Sequence, residues 1–186
     1  MSSEIKANSI QDKTGTRVLA SDSGSAWSWG TPPVGTVLQV VQNESSETNA
    51  LTTGYVNYYE VSIQLKSSSS DVYGFFNFQY QAQPGAGFGV KVYRNNSATV
   101  TTSHTAVWTK NLVDTSSRPY TWYNGNASSM YNVGSINTKD TITGFSAGDT
   151  LYYGLFARKA FSAIVTLPFN DDEDGFISST LIEVQK

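Results

Sequence analysis

His104, in Thr101-Thr102-Ser103-His104-Thr105, is the one histidine of this 186-residue chain, and no cysteine accompanies it. A nucleophilic triad needs a base oriented by a carboxylate beside an activated hydroxyl or thiol. No such grouping and no G-x-S-x-G elbow stands near His104, which reads as an ordinary polar residue next to a strand. The absence of cysteine removes thiolate nucleophiles, thiolate zinc sites and disulfide staples. The densest acidic cluster is Asn170-Asp171-Asp172-Glu173-Asp174-Gly175. Asn170, Asp172 and Asp174, followed by Gly175, reproduce the first half of a calcium loop, but Leu181 stands where the bidentate glutamate belongs. These three residues are therefore a weak calcium candidate, set against a solvated charged loop. Nothing singles out a carboxylate pair of the kind glycoside hydrolysis uses. No cofactor is implied, and the chain is expected to be non-enzymatic.

The aromatic stretch Tyr120-Thr121-Trp122-Tyr123-Asn124-Gly125-Asn126 follows Trp108. Aromatic faces beside amides suit a sugar, which stacks on the rings and hydrogen-bonds the amides. Trp108, Tyr120, Trp122, Tyr123 and Asn124 are thus candidate glycan-binding residues. The competing reading is a large loop packed by its own Trp and Tyr over one end of the fold.

The elements that must position these residues are strands. Helical spacing is absent, whereas alternation recurs: Tyr59, Val61, Ile63 and Leu65 share a face, as do Phe76, Phe78 and Tyr80, Phe88, Val90 and Val92, and Leu151, Tyr153, Leu155 and Ala157. The chain closes on Thr180-Leu181-Ile182-Glu183-Val184. Turn-forming clusters separate these runs at 67–71, 83–87, 94–97, 123–126 and 146–149. Many short strands joined by short turns predict an all-β, antiparallel β-sandwich or barrel. Charged residues are only 15% of the chain, and Ser, Thr, Asn and Gln carry the surface polarity. A net charge of −3 without a Lys/Arg run argues against nucleic acid as a partner. No apolar run approaches the roughly 20 residues of a membrane span, so membrane insertion is not expected. No secretory signal stands at the start, so passage out of a cell is expected by another route, such as within a virus particle.

Two strands read as apolar on both faces at one end, with Tyr73 and Phe75 opposite Phe76 and Phe78, and Tyr152 and Phe156 opposite Tyr153 and Leu155. An antiparallel sheet normally keeps one wet face. The second face is covered either by loops or by another subunit, for which Tyr and Phe are favoured. Pro32 and Pro33 interrupt any ladder and divide the chain into an arm (1–30), a Pro/Gly hinge (31–35) and a knob (36–186). The arm's aliphatics, Ile5, Ala7, Ile10, Val18, Leu19 and Ala20, bury too little surface to offset an ordering cost of roughly 1–2 kcal/mol per residue. The arm is therefore either a floppy tail or ordered by a partner. Trp27 and Trp29, two residues apart, either fill a slot at the joint or pack under the knob.

The opening Ser3-Glu4-Ile5-Lys6-Ala7-Asn8-Ser9-Ile10-Gln11-Asp12-Lys13-Thr14-Gly15, with Trp27-Ser28-Trp29-Gly30 and Pro33-Val34-Gly35-Thr36-Val37-Leu38-Gln39-Val40, resembles the N-termini of small structural proteins of tailed bacteriophages, marine and cyanobacterial ones especially. Such proteins are described as tail fibres or virion structural proteins. The closing part, with Gly148-Asp149-Thr150-Leu151-Tyr152 and Ile177-Ser178-Ser179-Thr180-Leu181-Ile182-Glu183-Val184, resembles the last strands of a trimeric jelly roll of the tumour-necrosis-factor type. Together these resemblances imply a homotrimer on a virion surface, made in the host cytoplasm and joined to phage capsid or tail proteins. The anchoring residues implied are Ile5, Ala7, Ile10, Val18, Leu19, Trp27 and Trp29, adding main chain to a partner's sheet edge. The trimer-interface residues implied are Tyr73, Phe75, Tyr152 and Phe156. A fibre shaft is missing: there are no heptads, no Gly-X-Y and no strand repeat. This favours a capsid decoration or short tail fibre, with recognition of a host cell-surface glycan as the alternative.

Overall fold

The computed structural model describes residues 9–11, 17–22, 26–29, 32–47, 49–108, 112–113, 119–120, 122–160, 163–168 and 175–186. Among these residues there are sixteen strands and no helix. Three lie before the prolines: β1 (Ser9–Gln11), β2 (Arg17–Asp22) and β3 (Ala26–Trp29). They pair antiparallel as a sheet of their own, with Ile10 opposite Leu19 and Leu19 opposite Trp29.

The remaining strands are β4 (Val37–Ser45), β5 (Asn49–Ala50), β6 (Val56–Gln64), β7 (Ser70–Ala82), β8 (Gly87–Asn95), β9 (Thr105–Trp108), β10 (Leu112–Val113), β11 (Pro119–Tyr120), β12 (Trp122–Tyr123), β13 (Met130–Thr141), β14 (Thr150–Lys159), β15 (Val165–Leu167) and β16 (Ile177–Gln185). Their pairing is nested. β4 pairs with β16, β6 with β14 and β7 with β13, while β8 pairs with β9 and β12 in turn. This is one long antiparallel hairpin. Rolling it up adds the pairings β16–β7 and β14–β8. Two facing sheets result. One runs β13–β7–β16–β4, extended at one end by β15–β5; the other runs from β9 and β12 through β8 and β14 to β6. Nested pairing rolled into two sheets is the jelly-roll winding, an antiparallel β-sandwich.

The predicted alternation has its physical outcome in the core. Tyr59, Val61 and Ile63 from β6, Phe76, Phe78 and Tyr80 from β7, Phe88, Val90 and Val92 from β8, and Leu151, Tyr153 and Leu155 from β14 are all buried between the sheets. At its centre Tyr80 meets Phe88 edge-on, with ring centroids 4.7 Å apart. β13 is a twelve-residue strand that the hydrophobic pattern does not announce. Its buried positions are Gly134, Ile136, Thr138 and Asp140, only one of them large and apolar. Phe78 fills the space that Gly134 leaves: a Cβ there would lie 2.3 Å from the Phe78 ring.

The winding gives the sandwich two unlike ends. At one end lie the turns 65–69, 96–104 and 142–149, and both chain ends of the sandwich meet there. Gly35 N donates to Gln185 O, and Gln185 N donates to Thr36 O, both at 2.8 Å. Gly35, at φ 86°, completes a turn closed by Thr36 N on Pro33 O (3.1 Å), which aims the chain from the prolines into β4. Residues 49–55, the tight turn 83–86, and residues 122–129, 163–168 and 175–176 occupy the opposite end.

Candidate functional site

At the entry end a fully buried carboxylate gathers the termini. Glu183 on β16 points inward with 0% exposure. Its oxygens accept from Lys66 N (2.9 and 3.1 Å), Ser67 N (3.1 Å), Ser70 Oγ (2.9 Å) and Gln39 Nε2 (2.6 Å). One side chain thus fastens the 65–69 turn, β4 and β7 to the last strand. A buried charge is tolerated only when its hydrogen-bonding capacity is met, as here.

A second polar clamp spans the two sheets. Arg94 on β8 donates from one nitrogen to both oxygens of Asp140 on β13, at 3.1 and 2.9 Å, and Tyr153 on β14 donates its hydroxyl at 2.8 Å. Burial raises the Asp140 pKa above its usual 3.8, with the Arg94 charge opposing the rise. Burial, then the Asp140 charge, hold the Tyr153 hydroxyl well above its ordinary value, so it stays a proton donor. A third link joins the sheets where Tyr59 and Ser179 hydroxyls meet at 2.8 Å.

The two outward faces differ. Over the β8–β14–β6 face, Val100 from the 96–104 turn is buried against Tyr93 and Phe156, whose rings meet edge-on at 5.1 Å. Glu60 on β6 holds that turn by accepting from Val100 N (2.8 Å) and Thr99 N (3.3 Å). The backbone there includes Thr99 at φ 68°, a conformation that a β-branched residue adopts at a cost. Nearby, Lys91 and Arg158 lie over the Tyr55 ring, 4.5 and 4.8 Å from its centroid. Among the described residues the outward face of β4–β16–β7–β13 carries no such cover, and Phe75 and Tyr131 are exposed on it.

The expected sites fare unequally against this geometry. Tyr73 and Phe75 lie on the open face, whereas Phe156 is 3% exposed beneath the chain's own Val100, with Tyr152 packed against the same cluster. The subunit-interface reading is thus corrected for Phe156: the chain supplies the cover itself. Asn124 is likewise corrected as a glycan ligand. It is fully buried; Nδ2 donates to Ala82 O (2.8 Å) and Ser128 O (2.9 Å), and Oδ1 accepts from Asn126 N (3.0 Å). It locks the 124–128 loop to the 83–86 turn and leaves nothing for a sugar. Trp108 is half-buried and packs on the main core. Trp122 and Tyr123 run antiparallel to Phe88 and Gly87 at the loop end, and Tyr120 pairs with Leu112 in a short hairpin beside it. Ile10, Val18, Leu19, Trp27 and Trp29 are in the leader's own sheet. Ile5, Ala7 and the calcium candidates Asn170, Asp172 and Asp174 lie outside the described residues.

His104 serves locally, its Nδ1 accepting from Thr101 N at 2.9 Å. Among the described residues no three His, Cys, Asp or Glu side chains come together as a metal site. The structure adds residues that sequence reasoning missed, namely Glu60, Asp140 and Glu183 as tethers. Their partners lie 40, 46 and 117 positions away (Val100, Arg94, Lys66), beyond the reach of any local signal.

No family model matches the chain, and no curated protein matches it in sequence. Among solved structures it is similar to a chain of infectious bursal disease virus, Gx strain, with TM-score 0.37 and 11% identity over 98% of this chain and 42% of that one. It is also similar to the VP2 subviral particle of that virus, with TM-score 0.29 and 9% identity over 90% of this chain and 48% of that one. The chain thus spans less than half the length of either. At these scores the likeness adds nothing to what the strand order itself establishes.

Proposed function

We propose that this chain is a non-enzymatic structural subunit of a virus particle, held by residues 1–30 and presenting the opposite end of its sandwich away from the point of attachment. The observation that carries the reading is the polarity of the sandwich. The leader enters at the end where Gly35 and Gln185 are bonded together, while the turn 83–86 and residues 122–129 lie at the other. A domain tied to a scaffold by its leader needs this arrangement, with a firm base and a distal end turned away from it. Glu183, anchored by four donors, reinforces that base. The chemistry of the domain supports a structural role as well. The buried carboxylates Asp140 and Glu183 are saturated by partners within the fold, which makes them struts rather than reactive groups.

In finer terms, the subunit is a homotrimeric capsid decoration or short tail fibre of a tailed phage. Quantitative mass spectrometry of purified particles tests the reading: a fixed copy number in multiples of three is expected, and absence from intact particles would overturn it. Glycan recognition is the second reading, favoured by Trp122 and Tyr123 lying at the distal end on the edge of β8. On a glycan array, wild-type binding lost in Trp122→Ala would support it, and no wild-type binding would remove it.

A further inference from the structure

We infer that the outward face of the β4–β16–β7–β13 sheet is where copies of this chain join one another, with the apolar half nearest the leader as the core of the contact. The inference rests on the reading of the chain as a multi-copy subunit and names the surface that reading requires. The registers place six apolar side chains side by side on that half. Val37 lies opposite Val184, and Val40 lies opposite Ile182, which lies opposite Tyr73; Phe75 follows on the same face of β7. Val37 is 55% exposed, Val40 53% and Phe75 37%. Tyr131 and Val133 are exposed at the far end of β13, separated from this patch by Asn137, Asn77 and Ser135. An apolar patch rimmed by polar residues is what a protein–protein contact presents.

The opposite outer face shows that the fold has means to avoid this. There the chain covers Tyr93 and Phe156 with Val100 and ties the cover down through Glu60. The β4–β16–β7–β13 face has no equivalent cover among the described residues.

Three considerations point to a second copy as the occupant. The first is charge. Across these registers the outward charged residues are Lys139, Asp71 and Glu44, and Lys139 is already neutralised by Asp71 at 2.8 Å. Around a symmetry axis identical residues approach one another, so a charged face would repel itself, and the chain carries a net −3. A foreign partner imposes no such neutrality. The second is area. Four strands about 4.8 Å apart and some ten residues long at about 3.3 Å each present roughly 600 Å² per copy. Two such faces give about 1,200 Å², the lower end of stable interfaces. The third is composition, because Tyr, Phe and a charge-depleted centre are what interface cores favour.

Analytical ultracentrifugation of the full chain tests the inference. Wild type should sediment with the mass of two or three chains. Val40→Asp and Phe75→Asp should each weaken association at least tenfold while leaving the melting temperature near that of wild type, since both side chains point outward. Mixing Val40→Asp with Val40→Lys should restore the association that each loses alone. A wild-type chain that sediments singly, or charged variants that keep the wild-type mass, would overturn it. Particle incorporation is read separately: Val40→Asp that dissociates yet still joins particles leaves the virion role standing, while wild-type self-association without any particle copies removes that role alone.

Discussion

Glu183→Gln is the sharpest perturbation of the base. The substitution keeps the shape of the side chain but removes its charge and turns one oxygen into a donor. Four donors converge on the carboxylate, and Lys66 N reaches both oxygens. Whichever way the amide turns, at least one enclosed N–H or O–H faces another donor, and the remaining bonds lose their ionic assistance. Hydrogen bonds to charged groups contribute about 1.5–3 kcal/mol each, and neutral ones about 1 kcal/mol. The expected loss is therefore about 2–3 kcal/mol for Gln, and about 3–5 kcal/mol for Ala, which abandons every donor. Urea unfolding followed by tryptophan fluorescence reads this directly. At a slope of roughly 2 kcal/mol per molar, the Gln midpoint falls by about 1 M with the slope unchanged. A Gln variant within about 0.5 kcal/mol of wild type would refute the claim that this carboxylate fastens the entry end.

Gly134→Ala forces a methyl group to within 2.3 Å of the Phe78 ring, whose own pocket is full, so a loss of about 1–3 kcal/mol is expected in the same assay. Asn124→Ala strands the carbonyls of Ala82 and Ser128, and hydrogen exchange should quicken across 124–128 while the β7–β13 ladder keeps its protection. The pH response should separate two carboxylates. For Asp71, burial raises the pKa, but Lys139, Thr141 and Lys186 together outweigh it and leave the folded value below 3.8. Its contribution is present above 3.8 and disappears as pH falls through the folded value, so Asp71→Asn should lower the melting temperature at neutral pH and converge on wild type in acid. Asp140 runs the other way. Its folded pKa is raised, so its ionisation opposes folding as pH rises from 3.8 through the folded value, and Asp140→Asn should remove that slope.

How far the fold was legible follows from which side chains face inward. Tyr59, Val61 and Ile63, like Phe76, Phe78 and Tyr80, announce their strands because each inward position is large and apolar and each outward one is smaller or polar. β13 obeys the same alternation, yet its inward face offers Gly134, Thr138 and Asp140. That face is small because Phe78 supplies the volume and polar because Arg94 and Tyr153 supply the partners, and neither fact is local in the chain. Glu183 reads as an ordinary polar residue of a closing strand. Main-chain donors at Lys66 and Ser67 make its inward position tolerable, and backbone donors leave no mark on composition. The doubly apolar strands show the same division. Alternation identified Tyr73, Phe75, Tyr152 and Phe156 as facing away from the core, but whether a loop returned to cover them depended on Glu60 and Val100 meeting across 40 positions.

The account turns on the leader as the means of attachment. The most direct measurement is co-sedimentation of the full chain, and of a chain lacking residues 1–30, with particles stripped of this protein. The full chain is expected to pellet with the particles, and the shortened chain to remain in the supernatant as a folded sandwich with a cooperative melt. A shortened chain that pellets as well as the full one would contradict the account.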